Sequence, residues 1–187
     1  MAKRFYSIII PVYNRPDEVD ELLESLTLQT YKNFEVIIVE DGSDKKCDKV
    51  VEKYIHELNI NYCFKENAGQ GFARNYGYER AKGEYFIVFD SDCIIPDNYL
   101  ETVETFLNEN YLDAYGGPDR AHDSFTPIQK AINFSMTSVF TTGGIRNKKK
   151  AIGGFSPKSF NMGISRVVFD ATGGYIIPYK GEDIEFS

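Results

Sequence analysis

Apolar residues in the first half of the chain follow two rhythms. Short dense runs, Ser7-Ile-Ile-Ile10, Phe34-Glu-Val-Ile-Ile-Val39 and Tyr85-Phe-Ile-Val-Phe89, have the length and β-branched content of buried strands. Between them apolar positions return every three or four residues. Val19, Leu22, Leu23 and Leu26 predict one face of a helix over Asp17–Leu28, with Pro16 suited to its first position. A second helix is predicted over Asp44–Leu58, with Val50, Val51, Tyr54, Ile55 and Leu58 inward. A third runs from Phe72 to Lys82 with Gly83 as its C-terminal cap, and a fourth from Asp97 to Asn108 behind Pro96. Short strands at Asn61–Phe64 and around Asp113–Tyr115 complete the alternation. Strands alternating with helices predict an α/β domain, its sheet mostly parallel and flanked by helices.

After Gly116-Gly117 the rhythm weakens. Residues 118–160 are rich in Gly, Ser, Thr and Asn, with Phe125, Phe134, Phe140 and Phe155 scattered among them, which predicts a subregion of mobile loops. Asn147-Lys-Lys-Lys150 reads as a solvated loop, with phosphate or an anionic membrane surface as the alternative contact.

Length and charge narrow the classes. A chain of 187 residues has room for one domain with a sizeable core. Its 21 basic residues against 28 acidic ones advertise no basic face, so no nucleic-acid partner is expected. A nucleotide remains admissible if a metal brings the positive charge. Cys47, Cys63 and Cys93 lack metal-site or disulfide spacing and read as reduced thiols. No stretch approaches the ~18 apolar residues of a membrane span. A cytoplasmic protein is expected, with peripheral contact at the cytoplasmic face of a membrane as the variant.

The chemistry concentrates at strand ends. In open α/β sheets, ligands bind beyond the carboxyl ends of the strands. Asp90-Ser91-Asp92 follows one strand there, and two carboxylates one residue apart suit Mg²⁺ or Mn²⁺. Glu40-Asp41-Gly42-Ser43 follows another. Asp41 there could accept from a ring N–H such as uracil N3, and Tyr13 could stack on a base or pack into the core. Gly181-Glu182-Asp183 offers either a general base or a helix cap.

Pro11-Val-Tyr-Asn-Arg15, Glu40-Asp41-Gly42-Ser43, Ala73-Arg74-Asn75, Asp90-Ser91-Asp92 and Gly181-Glu182-Asp183 occur in that order. The set resembles a family 2 glycosyltransferase of the GT-A fold, over a stretch from Ser7 to the last residues. The resemblance implies a Rossmann-like GT-A domain, C-terminally truncated because family members continue past the position of Asp183. It implies one domain over 1–187, with 1–92 a nucleotide-binding half and 93–187 an incomplete acceptor and catalytic half. Pro11, Tyr13 and Asp41 would bind uridine, and Asn67 and Arg74 would line the nucleotide site. Asp90 and Asp92 would serve ribose and metal (Mn²⁺ or Mg²⁺), with Ser91 near the phosphates. Asp183 would be the catalytic base. Glu40 departs from the Asp that many members carry. His56 and His122 both precede Asp183, so neither matches a metal-binding His that some members carry after it. The implied reaction is metal-dependent, inverting transfer from a UDP-sugar to a hydroxyl on a carbohydrate or lipid-linked glycan, in cell-surface glycan or polysaccharide synthesis. A UDP-sugar-binding domain without turnover is the alternative. A phosphatase would carry its DxD on the first strand, and a dinucleotide oxidoreductase would carry GxGxxG there.

Overall fold

The computed structural model describes residues 3–117, 161–179 and 186. Strand β1 (Tyr6–Val12) leads through α1 (Pro16–Thr27) to β2 (Phe34–Asp41), then α2 (Asp48–Val51) and β3 (Ile60–Lys65). Helix α3 (Gln70–Tyr78), β4 (Tyr85–Phe89), α4 (Tyr99–Glu109) and β5 (Ala114–Gly116) follow, and then β6 (Asn161–Ser165) and α5 (Arg166–Thr172). One six-stranded sheet runs in the order β3-β2-β1-β4-β6-β5. Strands β1 to β4 are parallel, while β6 pairs antiparallel with both β4 and β5.

Ile8, Ile10, Val36, Ile38, Ile87 and Phe89 face one way, against Leu22, Leu23 and Leu26 of α1 and Leu100 and Leu107 of α4. Ile9, Ile37, Val39, Phe86 and Val88 face the other, against Ala73 and Tyr78 of α3. Two-sided burial explains the unbroken apolar runs. Ring pairs extend the second layer: Tyr78 lies 5.3 Å from Phe86 and 5.2 Å from Phe169 of α5.

The order of strands places the site. From β1 the chain steps outward to β2 and β3, then returns to the opposite side of β1 for β4. The direction of winding therefore reverses between β1 and β4. Loops leaving neighbouring carboxyl ends part there and leave a crevice.

Three local expectations are corrected. The helix predicted over Asp44–Leu58 is regular only at Asp48–Val51. Beyond it the bonds tighten to three residues (Lys53 N to Val50 O, Tyr54 N to Val51 O, Glu57 N to Tyr54 O). That curl keeps Val51 and Leu58 buried but leaves Ile55 facing solvent. Gly83 is not the cap of α3, whose C-cap is Glu79. Gly83 donates its N–H to Ser7 Oγ, and a Cβ on it would stand 2.6 Å from the Phe5 carbonyl oxygen. Close backbone approach explains this glycine. Strand β6 was not expected; Asn161-Met-Gly-Ile-Ser165 carries Gly163, where a Cβ would strike the Tyr115 ring. The loops expected in 118–160, including Asn147–Lys150, lie outside the described residues.

Helix α4 is fastened to β1 through a buried carboxylate. Glu104 Oε2 accepts from the Tyr6 hydroxyl at 2.6 Å and from Arg4 Nη1 at 3.0 Å. Burial pushes the Glu104 carboxyl up, but the hydrogen bonds from Tyr6 and Arg4 outweigh it and hold it below its ordinary value. A depressed carboxyl contributes stability that is fully present above its unfolded pKa of about 4.3 and lost as pH falls through the lower folded value. Glu104→Gln should therefore cost about 1–3 kcal/mol in urea denaturation at pH 7. The gap between variant and parent should narrow below about pH 4. A gap that stays constant from pH 7 to pH 3 would contradict this assignment.

Candidate functional site

The crevice is walled by loops laced to one another. In the β1–α1 loop, Asn14 takes a left-handed conformation at φ 58°. Its N–H donates to Ser43 Oγ at 2.8 Å, and its Oδ1 accepts from Lys45 N at 2.9 Å, tying this loop to the one after β2. Pro11, partly buried, is the last residue but one of β1 and stands opposite Val39. Tyr13 projects from the same loop and is 53% exposed. That exposure puts it outside the core.

Asp41 ends β2 and is buried. Its Oδ1 accepts from Ala68 N at 3.0 Å and from Lys65 Nζ at 2.5 Å, and its Oδ2 from Gly69 N at 2.9 Å. Its carbonyl accepts from Asn67 Nδ2 at 2.8 Å. So Asp41 and Asn67, both singled out in the sequence, are brought into direct contact. The approach needs glycine at Gly42, where φ is +76° and a Cβ would stand 2.6 Å from Asn67 N. Neighbouring Glu40 points to the other face. Its Oε2 accepts from Cys47 N at 2.8 Å and from the Tyr62 hydroxyl at 2.9 Å, so it shapes the loop after β2. Burial, reinforced by Glu40, raises the Cys47 thiol well above its ordinary value. Cys47, Cys63 and Cys93 are all free thiols.

At the end of β4 the two aspartates diverge. Asp90 Oδ1 accepts from Arg74 Nη2 at 3.1 Å, and that arginine is buried on α3. Asp92 reaches outward and pairs with Arg15 at 2.8 Å, both side chains about half exposed. Ser91 between them is buried. The two carboxylates, one residue apart in the chain and both partly open to solvent, are hard oxygen ligands of the kind Mg²⁺ or Mn²⁺ takes. No third His, Cys, Asp or Glu joins them in a cluster among the described residues.

Two contributors escaped the sequence reading. Lys65 pairs with Asp41 because β2 and β3 align these residues in register, which sequence alone does not reveal. Asn75 appeared in a motif without a role. Its Nδ2 donates to the Tyr175 carbonyl at 2.7 Å, and its Oδ1 accepts from Tyr175 N at 2.9 Å. That clamp lays the 173–179 segment over the start of α3, where Gly71 N donates to the Pro178 carbonyl and the Tyr179 hydroxyl donates to Asn67 Oδ1 at 3.4 Å. Asp183 lies outside the described residues, as does His122. Asn75→Ala removes both clamp bonds. It should lower stability by about 1–3 kcal/mol in urea and speed proteolysis after Tyr175 or Tyr179. Unchanged proteolysis would show that the stacking of Tyr175 on Tyr78, with ring centroids 6.3 Å apart, holds the segment without the clamp.

Comparisons with known proteins bear on the family and the fold. A family model described as Glycosyl transferase family 2 matches residues 7–173. An uncharacterised glycosyltransferase of Rickettsia typhi is 43% identical over 103 residues, 55% of this chain and 32% of that protein. Across eight of its curated relatives, the matched stretch spans between 15% and 44% of the relative's length. Among solved structures, TarS 1–349 of S. aureus in complex with UDP superposes with a TM-score of 0.75 at 24% identity, covering 97% of this chain and 53% of that one. The mannosyltransferase PcManGT of Pyrobaculum calidifontis, in complex with GDP-Man and Mn²⁺, gives 0.71 at 20% identity, covering 94% of this chain and 48% of that one. These two likenesses establish the GT-A fold. No helix among the described residues is long and apolar enough to cross a membrane.

Proposed function

The chain belongs to glycosyl transferase family 2, and from that membership we propose that it transfers a sugar from a UDP-sugar to a hydroxyl of a carbohydrate or lipid-linked acceptor, with inversion, in the building of cell-surface glycan. What supports this reading is a set of three contacts at the carboxyl ends of β2 and β4: Asn67 on the Asp41 carbonyl, Arg74 on Asp90, and Arg15 on Asp92. Tyr13 offers its exposed ring to the uracil, and Pro11 lines the floor. Asp41 accepts from uracil N3–H through the lone pair of Oδ2 that its loop contacts leave over. Asp90 and Ser91 lie toward the ribose and phosphates, and Arg74 orients Asp90. Asp92 and Asp90 would hold Mg²⁺ or Mn²⁺, which supplies positive charge to the departing diphosphate. Arg15, displaced from Asp92, keeps a second positive charge beside the phosphates.

Asp183 is the proposed base. Its carboxylate takes the proton of the acceptor hydroxyl as that oxygen bonds to the anomeric carbon. The bond from that carbon to the diphosphate oxygen breaks on the opposite face, so configuration inverts and UDP leaves with the electron pair. A positioned base of this kind contributes typically ~10²–10⁴-fold in rate. TarS was solved with UDP, and PcManGT with GDP-Man and Mn²⁺, which supports a nucleotide-sugar donor and a divalent ion for this chain too.

Calorimetry tests the reading. UDP should bind at least about tenfold more tightly in Mn²⁺ or Mg²⁺ than in EDTA, since a metal–diphosphate contact is charge-assisted. Asp92→Ala should erase the difference. Equal UDP affinity with and without metal in the unmutated protein would refute the metal-dependent reading.

A further inference from the structure

At the outer end of the crevice stands a cation that the reaction above does not use. Lys65 is the last residue of β3. Its Nζ lies 2.5 Å from Asp41 Oδ1 and 2.6 Å from the Glu66 carbonyl oxygen, and its side chain is 16% exposed. An ammonium group carries three N–H donors. Among the described residues these partners take two, which leaves one. Asp41 carries four lone-pair sites, of which Lys65, Ala68 and Gly69 take three. Among the described residues a donor and an acceptor therefore stand side by side, each with one position left.

Topology sets what they would meet. The strands run β3-β2-β1-β4, each about 4.8 Å from the next. On the UDP-sugar reading, on which this inference rests, the diphosphate lies with Asp90 and Asp92 beyond β4. A nucleotide laid outward from there carries its ribose past β1 and presents its base to β2 and β3. The edge of a uracil farthest from the sugar-bearing N1 is N3–H beside C4=O. Asp41 at the end of β2 meets the N–H, and Lys65, one strand further out, meets the oxygen. We propose that Lys65 is a specificity-determining residue of the donor site, donating an N–H to uracil O4 while Asp41 accepts from N3–H. Cytosine reverses both groups. Its N3 presents a lone pair to the carboxylate and its C4 amino group presents hydrogens to the ammonium.

Isothermal titration of UDP and CDP in Mn²⁺ into the unmutated protein, Lys65→Met and Lys65→Arg tests this. Lys65→Met should weaken UDP by about 10–50-fold and CDP by less than about threefold, so the preference for UDP collapses. Lys65→Arg, which keeps a cationic donor, should retain most of the preference. An equal loss of UDP and CDP in Lys65→Met would mean that Lys65 only holds the Asp41 loop, and would overturn the proposal. The unmutated protein gives an independent reading that does not depend on a variant folding. Sulfur accepts hydrogen bonds poorly, so 4-thio-UDP should bind about fivefold or more weakly than UDP, and 2-thio-UDP about as well as UDP. Equal affinity for UDP and 4-thio-UDP would overturn the assignment. If the unmutated protein binds neither UDP nor CDP, the UDP-sugar reading falls and takes this inference with it. If UDP binds and the preference survives Lys65→Met, this inference falls alone.

Discussion

Removing a carboxylate from water is costly unless donors replace the solvent it loses. Asp41 sits almost wholly inside the protein, and its replacement donors come from the end of β3 and the loop after it: the Lys65 ammonium and the Ala68 and Gly69 amides. That loop has little choice of path, since any other route would strand the carboxylate. The consequences run outward along the chain. Asn67 turns back onto the Asp41 carbonyl, Gly42 and Gly69 become obligatory for close approach, and α3 starts at Gln70. The first turn and a half of α3 then delivers Arg74 to Asp90 and Asn75 to the 173–179 segment. One strand-end aspartate thus fixes elements drawn from β2, β3, α3, β4 and the C-terminal part of the chain.

The two ends of the crevice differ physically. The Asp41 end is caged, with short bonds among buried groups. The Asp92 end is held by the Arg15–Asp92 pair, whose side chains are 48% and 54% exposed. Exposed pairs of this kind are worth only about 0–1 kcal/mol. A rigid end suits recognition of a planar base, where a donor or acceptor out of place loses its partner. A loosely paired end suits a metal and diphosphate, which must displace an existing cation to bind. Both properties follow from burial, before any ligand is considered.

Much of this was legible in the sequence. The buried runs of β1, β2 and β4 and the amphipathic face of α1 carry their periodicity openly, and they place Asp41, Asp90 and Asp92 at strand ends. What was not legible depends on register and contact. Lys65 reads as an ordinary basic residue until β3 is laid beside β2. Asn75 reads as a helix residue until a segment 100 positions away docks on it. Strand β6 carries Gly163 and Asn161 in a five-residue stretch, a weak strand signal that only the vacancy beside β4 and the bulk of Tyr115 make sense of. Helix α2 shows the reverse error: its apolar spacing is helical, but with Ile55 unburied the tertiary contacts favour a tighter curl.

Native-state hydrogen exchange at the Ala68 and Gly69 amides tests the Asp41 cage most directly. In the unmutated protein both amides should exchange slowly, at rates set by opening of the loop. In Asp41→Ala they should lose that protection and exchange about 10–100-fold faster, the equivalent of a lost hydrogen bond to a charged group, while the amides of β1 and β4 remain protected. Protection at Ala68 and Gly69 that survives Asp41→Ala would show that the loop holds its path without the carboxylate, and would contradict the dependence argued above.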